Sequence, residues 1–484
     1  MADNKADIAV IGLAVMGQNL VLNMNDHGVR VVAYNRTQSK VSEFIKGLAA
    51  DTLIQGANSL EDMLAKLSSP RKVMLMVKAG EVVDAYIEQL LPLLDDGDVI
   101  IDGGNSDYRD TARRVESLSE KNIHYLGIGV SGGEEGARYG PSIMPGGDER
   151  AWPLVKPIFQ AIAARTDAGE ICCDWVGSGG AGHFVKMVHN GIEYGDMQLI
   201  SEAYHFMKSG LNLNHPEMQK SFSAWNKTEL DSYLVEITAN ILGFYEDGQP
   251  LVESILDTAG QKGTGKLTAN SALENGVPLS LISESVFARY ISSFKEERIA
   301  AETAFAREIS SVGGDKDDWL EALRESLLAS KIISYAQGFM LMKQVSNNLD
   351  WNLNFGNIAL MWRGGCIIRS RFLENIRDAF IKNPELSFLG IDDYFQQLLK
   401  QSLPSWRRVL GKAIEIGLPM QCTASGLSFF DAFTCGRLPA NMLQAQRDYF
   451  GAHTYERVDR DRGEFFHTDW IGSGGAVSSS QYNA

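Results

Sequence analysis

The sequence predicts an α/β domain with a parallel sheet, followed by a large all-helical region. In the first third of the chain, short apolar runs alternate with amphipathic stretches, which is the pattern of strands alternating with helices. From about Gly182 onward, long stretches with helical periodicity dominate and clusters of β-branched residues become rare. Two segments of the helical region also resemble each other in sequence.

The strand candidates of the first third are short and apolar, and each runs into glycine or polar residues. They cover residues 8–11, 29–34, 73–77, 99–101 and 124–128. Because crossovers between parallel strands are right-handed, we expect one parallel sheet with helices between its strands. A ligand site is then expected beyond the carboxyl ends of the strands.

The glycine-rich stretch at residues 177–182 coincides with the change from strands to helices and predicts a linker near residue 178. The two similar segments beyond it cover residues 192–214 and 333–354, roughly 135–140 residues apart, and a Trp follows each, Trp225 and Trp362. A duplicated helical subdomain explains this, and chance similarity between two amphipathic helices is the alternative. We expect domains at 1–178 and 179–438 and a tail at 439–484, whose last residues are rich in Gly and Ser.

Charge, hydropathy and cysteine content exclude several classes of function. The 484 residues carry a net charge of −16, which argues against general nucleic-acid binding. No apolar run approaches the roughly 20 residues that a membrane span needs. The five cysteines form no C-x-x-C pair, which fits free thiols in a reducing, cytoplasmic setting. Because the net charge is negative, an anionic ligand would require a local concentration of basic side chains.

The first strand leads into a glycine turn that opens a helix, the context of a dinucleotide-binding fingerprint. Its residues are Gly12, Leu13, Ala14, Val15, Met16 and Gly17. Gly12 permits the tight turn and Gly17 permits close contact between helix and strand. Ala14 replaces the middle glycine, so a pyrophosphate is expected slightly further from the backbone. A turn that binds nothing is the alternative.

The end of the second strand favours NADP over NAD. An NAD enzyme commonly has an acidic residue there, whereas this chain has Asn35, Arg36 and Thr37. Arg36 can stack on adenine and pair with a 2′-phosphate, which a carboxylate would repel. Met76, Val77 and Lys78 end a later strand and are expected at the same edge of the sheet.

Two further polar turns follow strands. Asn105 lies in the turn 102–106 and Ser131 in the glycine-rich turn 130–136. Glycines there allow backbone amides to approach a ligand closely. Two ordinary turns are the alternative, but their place at the carboxyl ends of strands favours a ligand site.

The stretch 183–194 predicts a helix with a row of functional side chains. Lys186, Asn190 and Glu193 are spaced i, i+4 and i+7, so they share one face, with Lys186 and Glu193 about 10 Å apart along the axis. A Lys and a Glu at opposite ends of a small substrate can act as base and acid, provided burial or a nearby cation lowers the pKa of the Lys. Taken alone, such spacing is more often a solvated charged face.

Residues 180–198 resemble the signature of the 6-phosphogluconate dehydrogenases, the decarboxylating enzymes of the pentose phosphate pathway. The resemblance covers nearly the whole chain. It includes the turn at residues 12–17 and the blocks at residues 35–37, 103–105, 129–136, 263–266 and 446–453.

This resemblance implies the chemistry of the site. Lys186 takes the proton of the C3 hydroxyl as hydride leaves C3 for NADP, and protonated Lys186 then polarises the carbonyl of the resulting β-keto acid, so that no metal is needed. Glu193 protonates C1 of the enediol that remains after loss of carbon dioxide, which gives ribulose 5-phosphate.

The resemblance also implies the binding residues. Asn105, Ser131, Gly132, Gly133, His189 and Asn190 match substrate contacts, with Asn105 also beside the cofactor, and Tyr194, Lys262 and Arg289 match phosphate contacts. Arg447 and His453 match positions that reach the substrate of the neighbouring subunit.

The architecture that the resemblance implies is an N-terminal Rossmann-like domain, a large internally duplicated all-helical domain, and a homodimer that exchanges C-terminal tails. Two other readings remain open. Shorter β-hydroxyacid dehydrogenases share the cofactor domain and the base lysine but lack the second helical copy. A catalytically inactive NADP-binding protein is the other, and Lys186 and Glu193 argue against it.

Overall fold

The computed structural model describes residues 5–306 and 308–472. The chain forms two compact units, Met1–Gly426 and Leu427–Ala484.

The N-terminal part of the first unit alternates strands and helices. The strands are β1 (Ile8–Ile11), β2 (Val31–Tyr34), β3 (Gln55–Gly56), β4 (Lys72–Leu75), β5 (Val99–Asp102), β6 (His124–Val130), β7 (Ile143–Gly147) and β8 (Gly177–Ser178). The helices between them are α1 (Val15–Asp26), α2 (Gln38–Lys46), α3 (Leu60–Ala65), α4 (Glu81–Leu90), α5 (Tyr108–Ser119), α6 (Gly133–Tyr139) and α7 (Trp152–Ile162).

These strands form one sheet of eight within the described residues, in the order β3-β2-β1-β4-β5-β6-β7-β8. All neighbouring pairs are parallel except β6 and β7. The strand order reverses between β1 and β4, and at such a point the loops that follow two adjacent strands diverge and leave a crevice. The turn at Gly12 and the loop at Met76 flank this crevice.

Apolar strands covered on both faces explain the sheet. β1, for example, reads Ile-Ala-Val-Ile and is buried along its whole length. Its alternate residues belong to two separate cores, with Ile8 and Val10 in one and Ala9 and Ile11 in the other. Helices on both sides of a parallel sheet require this continuous apolar pattern.

The remaining residues that the structure describes are mainly helical and include two short hairpins. The helices are α8 (Ala181–His205), α9 (His215–Trp225), α10 (Tyr233–Leu242), α11 (Thr264–Glu274), α12 (Ser280–Ser293), α13 (Lys295–Phe305), α14 (Lys316–Asn348), α15 (Phe355–Met361), α16 (Leu373–Lys382), α17 (Asp393–Glu415), α18 (Gln421–Phe433) and α19 (Ala440–Gly451). The hairpins pair β9 (Tyr245–Glu246) with β10 (Gln249–Pro250) and β11 (Tyr455–Glu456) with β12 (Phe465–Phe466). The predicted fold class, a Rossmann-like domain followed by a large helical domain, is confirmed.

Helix α8 is the element on which the site depends. It contacts the sheet through β6 and β7 and packs against α11, α12 and α14 of the helical part. Its first half is almost entirely buried, because it lies between the sheet and the other helices.

The two similar sequence segments have similar local structures. Each contains the end of a long helix, α8 or α14, and then an Asn that caps the next helix. Asn214 accepts a hydrogen bond from the amide of Glu217, and Asn354 accepts one from the amide of Asn357. This shared arrangement supports the internal duplication.

The second unit contains the end of α18, the helix α19 and the hairpin β11–β12. Buried Asp448 organises it by accepting hydrogen bonds from the amides of Thr454 and Thr468 and from the Trp470 indole. Most of the predicted Gly- and Ser-rich end, residues 473–484, lies outside the described residues. The domain boundaries at residues 178 and 438 stay predictions. Among the described helices, none is both long and apolar enough to span a membrane.

Candidate active site

The glycine turn after β1 lies in close contact with neighbouring backbone. Gly12 has a φ of 108°, and a Cβ there would lie 2.4 Å from the carbonyl oxygen of Met76. A Cβ on Gly17 would lie 1.9 Å from the carbonyl oxygen of Gly12. Both positions therefore require glycine for steric reasons. Ala14 precedes α1 without a side-chain cap, so the first amides of that helix face no capping group and suit an anion.

The end of β2 carries the residues predicted to select the cofactor. The side-chain oxygen of Asn35 accepts a hydrogen bond from the amide of Leu13 at 3.1 Å, which fixes the turn against the strand. Arg36 and Thr37 are exposed, and Arg36 forms no ion pair with any residue that the structure describes. A guanidinium without a carboxylate partner at this edge fits a 2′-phosphate.

A cavity of about 580 Å³ opens next to this turn. Eleven of the predicted residues line it: Met16, Asn105, Ser131, Gly132, Gly133, Lys186, Asn190, Glu193, Tyr194, Lys262 and Arg289. Because Met16 belongs to the glycine turn, the cavity adjoins the predicted cofactor site. The sheet and the helical part thus both contribute to one site within the first unit.

The predicted row on α8 faces this cavity. The Lys186 ammonium donates a hydrogen bond to the Asn190 side-chain oxygen at 2.8 Å. His189 is fully buried behind the cavity wall, with its Nε2 3.0 Å from the Ser131 hydroxyl and its Nδ1 3.1 Å from the same Asn190 oxygen. A consistent pattern has Nδ1 donating to Asn190 and the Ser131 hydroxyl donating to Nε2. The row is therefore fixed by its neighbours before any ligand binds.

Burial moves the proton affinities of this row toward catalytic use. Burial lowers the pKa of Lys186, against the attraction of Glu193, which acts to raise it. Burial raises the pKa of Glu193, against the opposing charges of Lys186, Arg289 and Lys262. Burial and the neighbouring Lys186 together hold the pKa of His189 well below its usual range, so that His189 is neutral. A lysine that is more easily neutral and a glutamate that is more easily protonated are suited to act as a base and an acid.

The far end of the cavity is basic. The Arg289 guanidinium stacks 3.5 Å above the ring of Tyr194 and donates a hydrogen bond to the carbonyl of Gly260. Lys262 lies in the adjacent loop, and Thr264 begins α11 directly after Gly263, whose φ is 88°. Two cations and a helix N-terminus at one place answer the need for local positive charge.

The glycine-rich turn after β6 is held against the helical part. Gly132 has a φ of 107°, and a Cβ there would lie 2.5 Å from the carbonyl oxygen of Gly365. The carbonyl of Gly365 also accepts a hydrogen bond from the amide of Ser142 at 2.8 Å. The loop after α15 thereby reaches the cavity, and its Ile367 forms part of the wall.

Sequence reasoning missed six of the lining residues: Val130, Met197, Gly260, Gln261, Thr264 and Ile367. Thr264 lies in a block that the sequence had singled out, and the glycine before it is a signal for a helix start. Arg447 and His453 lie in the second unit, Arg447 on α19 and His453 just after it. The predicted cofactor residues other than Met16 and Asn105 lie outside the cavity lining.

Two family models match the chain. The NAD binding domain of 6-phosphogluconate dehydrogenase matches residues 7–177, and the C-terminal domain of 6-phosphogluconate dehydrogenase matches residues 182–470. Together they cover nearly the whole chain.

Relatives of known name agree with the family models. A decarboxylating 6-phosphogluconate dehydrogenase of Haemophilus influenzae is 65% identical over 480 residues, which are 99% of this chain and 99% of that protein. The Homo sapiens protein of the same name is 60% identical over 482 residues, 99% of this chain and all of that protein. The solved 6-phosphogluconate dehydrogenase of Plasmodium falciparum superposes with a TM-score of 0.92 at 45% identity, over 96% of this chain and 100% of that one. The chain belongs to the 6-phosphogluconate dehydrogenase family.

Proposed function

We propose that the protein catalyses the oxidative decarboxylation of 6-phospho-D-gluconate to D-ribulose 5-phosphate and carbon dioxide, with reduction of NADP. This is the decarboxylating step in the oxidative branch of the pentose phosphate pathway. The observation that carries the proposal is the cavity into which α8 brings Lys186, Asn190 and Glu193 and which Met16 of the glycine turn also lines. The Plasmodium falciparum relative was solved with NADP+ and with 6-phosphogluconate, each in complex.

NADP, when bound, accepts the hydride from C3 of the substrate. The residues that would hold it are Gly12, Leu13, Ala14, Val15, Met16 and Gly17 in the turn, Asn35, Arg36 and Thr37 after β2, Met76, Val77 and Lys78 after β4, and Asn105. The shape of Gly12 and the unpaired Arg36 support this assignment.

Lys186 acts as the base for the oxidation. Its burial favours the neutral amine, which can accept the proton of the C3 hydroxyl as the hydride leaves C3. The product is a 3-keto acid, in which the carbonyl at C3 can accept the electron pair of the breaking bond between C1 and C2. Lys186, now protonated, donates a hydrogen bond to that carbonyl oxygen and stabilises the developing negative charge.

Glu193 acts as the acid for the last step. Loss of carbon dioxide leaves an enediol whose terminal carbon must be protonated to give ribulose 5-phosphate. The raised pKa of Glu193 keeps this carboxyl protonated closer to neutral pH than an exposed one. It stands on the same face of α8 as Lys186, two turns further along the helix.

The remaining lining residues bind and orient the substrate. Asn105, Ser131, Gly132, Gly133 and Asn190 surround the carbon chain, and His189 holds Ser131 and Asn190 in place. Tyr194, Lys262 and Arg289, with the N-terminus of α11, take the phosphate. We assign the C-terminal cations Arg447 and His453 to the same ligand, from a second copy of the chain.

The assembly proposed is a homodimer that exchanges C-terminal tails. The surface of α12 and α13 supports a partner, because Phe287, Ile291, Phe294, Ile299 and Phe305 are all between 46% and 83% exposed. The location proposed is the cytoplasm, which fits five cysteines that are all free thiols.

The test is turnover. The purified protein is incubated with 6-phosphogluconate and NADP, and both reduced cofactor and carbon dioxide are followed. We expect the two products in equal amounts. A folded sample that binds NADP and releases neither would overturn the proposal, and reduced cofactor without carbon dioxide would point to a simple β-hydroxyacid dehydrogenase.

A further inference from the structure

The carboxylate at the end of β5 is a buried hub beneath the cavity. Asp102 is fully buried and accepts hydrogen bonds from the amide of Gly104 at 3.0 Å, the Ser106 hydroxyl at 2.6 Å and the Tyr125 hydroxyl at 3.1 Å. The residues on either side of Asn105 are therefore bound to one carboxylate. We call residues 103–106 the substrate loop.

One arginine joins this hub to the neighbouring loop. Arg114 of α5 is 1% exposed, and its Nε and Nη2 donate to the two carboxylate oxygens of Asp84 at 2.8 and 2.9 Å. Its Nη2 also donates to the carbonyl of Gly80 at 3.2 Å, and its Nη1 to Asp102 at 3.5 Å. Gly80 and Asp84 follow the residues proposed to contact the cofactor, so residues 76–80 are here called the cofactor loop.

The two loops also touch directly. A Cβ on Gly103 would lie 2.6 Å from the sulfur of Met76, and one on Gly104 would lie 3.2 Å from the carbonyl oxygen of Val77. Because Gly103 and Gly104 have no side chains to separate the two loops, a small displacement of one loop is transmitted to the other.

A third contact extends the hub to α8. The Nε2 of His183 lies 3.1 Å from the backbone carbonyl oxygen of Asp102 and donates to it, while its Nδ1 lies 2.6 Å from the Thr111 hydroxyl. His183 is fully buried and lies one turn before Lys186. The cofactor loop, the substrate loop and the start of the catalytic helix therefore meet at one buried network.

A buried ion network is a costly way to stabilise a fold. Apolar residues of similar volume often stabilise a core as well or better, because they need no desolvation of charge. A network of this kind is better explained by the segments that it holds in place. Hydride transfer depends on the separation of two reacting carbons, one held near each loop, and an error of about 1 Å costs up to about a hundredfold in rate.

We propose that Arg114 and Asp102 are positioning residues. They hold the cofactor loop, the substrate loop and the start of α8 in the fixed relative positions that hydride transfer requires. The inference rests on the function proposed above. Arg114 touches neither the cavity nor the glycine turn, so its effect on the reaction passes through Asp84, Gly80 and Asp102.

The test compares Arg114→Met with Arg113→Met. Arg113 pairs with the same Asp84 from the exposed side but reaches neither Gly80 nor Asp102, which makes it a matched control. NADP binding is titrated first, and turnover is then expressed per bound NADP, so that loss of folded protein is not mistaken for loss of rate. We expect kcat per bound NADP to fall about tenfold or more in Arg114→Met, with the NADP Kd changed by less than about threefold. In Arg113→Met, kcat per bound NADP and the NADP Kd should both stay within about twofold of the wild-type values.

A second readout follows the hydride itself. With substrate deuterated at C3, the isotope effect on kcat should increase in Arg114→Met, because misplacement slows the hydride step specifically. A purely structural role would leave the isotope effect unchanged. Arg114→Lys, which keeps the charge but cannot reach all three partners, should fall between wild type and Arg114→Met.

The outcomes separate the two proposals. Absence of turnover in the wild type would refute the proposed function. An active wild type with Arg114→Met unchanged in rate per bound NADP and in isotope effect would refute the positioning role. If Arg114→Met does not fold, Asp84→Asn decides instead. Asp84 is partly exposed, and its replacement removes the charge that orients Arg114. A rate and an isotope effect equal to those of the wild type would again refute the positioning role.

Discussion

Lys186 and Glu193 line one cavity from the same face of α8, two turns apart, with the ring of His189 between them. His189 Nδ1 lies 3.4 Å from the Lys186 ammonium and 4.0 Å from the Glu193 carboxylate. The same burial lowers the pKa of the lysine and raises that of the glutamate. The two groups are thus moved toward the protonation states in which the reaction needs them.

The roles proposed for Lys186 and Glu193 predict a bell-shaped dependence of kcat/KM on pH, for the following reasons. Activity requires neutral Lys186, so it is lost as pH falls and the lysine gains a proton. Activity also requires protonated Glu193, so it is lost as pH rises and the carboxyl ionises. In Glu193→Gln, whose residual rate should be lower by about 10²–10⁴-fold, we expect the alkaline limb attributable to Glu193 to disappear and the acid limb to remain. A residual activity that kept its alkaline limb would assign that limb to another group.

Replacing Lys186 tests the base directly. Lys186→Ala should leave NADP binding intact, because the lysine lies outside the glycine turn, and should lower kcat by about 10²–10⁴-fold. Binding is measured by titration of cofactor and turnover by the absorbance of reduced cofactor. Asn190→Ala is a useful comparison, since it removes the hydrogen bond to the ammonium but keeps the base, and its loss should be smaller. Substantial activity in Lys186→Ala would show that another group takes the proton.

Arg36 is expected to determine the choice of cofactor. In Arg36→Asp, the guanidinium proposed to pair with the 2′-phosphate is replaced by a charge that repels it. The Kd for NADP should rise roughly 10- to 100-fold, while that for NAD should change little or fall. Arg30→Asp serves as a control for added negative charge, because Arg30 precedes β2 at the opposite end from Arg36 and pairs with Asp7. Unchanged selectivity in Arg36→Asp would remove Arg36 from the cofactor site.

Much of this site could be predicted from local patterns in the sequence. The strand at residues 8–11, the glycine turn after it and the 3.6-residue spacing of Lys186, Asn190 and Glu193 all depend on residues close in sequence. Their positions in the structure follow directly from strand and helix geometry. The later strand expected at residues 73–77 instead ends at Leu75, although the amide of Met76 still donates a hydrogen bond to the carbonyl of Ile11.

Contacts between distant segments could not be found in the same way. Ile367 reaches the cavity only because Gly365 packs against Gly132, more than 200 residues earlier in the chain. No periodicity marks such a contact. The role proposed for Arg114 could likewise not be predicted from the sequence, because a lone Arg on an amphipathic helix is ordinarily a solvated charge.

The core contains a second buried ion pair, between α8 and α14, that tests how the catalytic helix is anchored. Lys331 donates to Asp196, both are buried, and the Asp196 carboxylate also accepts a hydrogen bond from Tyr335. Lys331→Met leaves that carboxylate unpaired, and the free energy of unfolding should fall by about 3–5 kcal/mol in denaturant titrations. Adding Asp196→Leu should recover much of the loss.

The matched control for this pair is on the same helix. Lys343 pairs with Glu385, whose side chain is 89% exposed, and Lys343→Met should cost no more than about 1 kcal/mol. Equal losses in the two methionine variants would mean that burial of the Lys331–Asp196 pair is not what makes it important.

The exchange of C-terminal tails can be decided by mixing two inactive variants. Arg447→Ala removes a cation of the second unit, and Lys186→Ala removes the base of the first. If each tail serves the partner's cavity, a mixed dimer has one site with both residues intact, and random mixing should restore about a quarter of the wild-type activity. If each tail serves its own chain, every site in the mixture has one defect and no activity returns. Mixing Lys186→Ala with Glu193→Ala is the control. Those two residues belong to the cavity of one chain, so that mixture should stay inactive under either arrangement, and only the mixture with Arg447→Ala reports on the path of the tail.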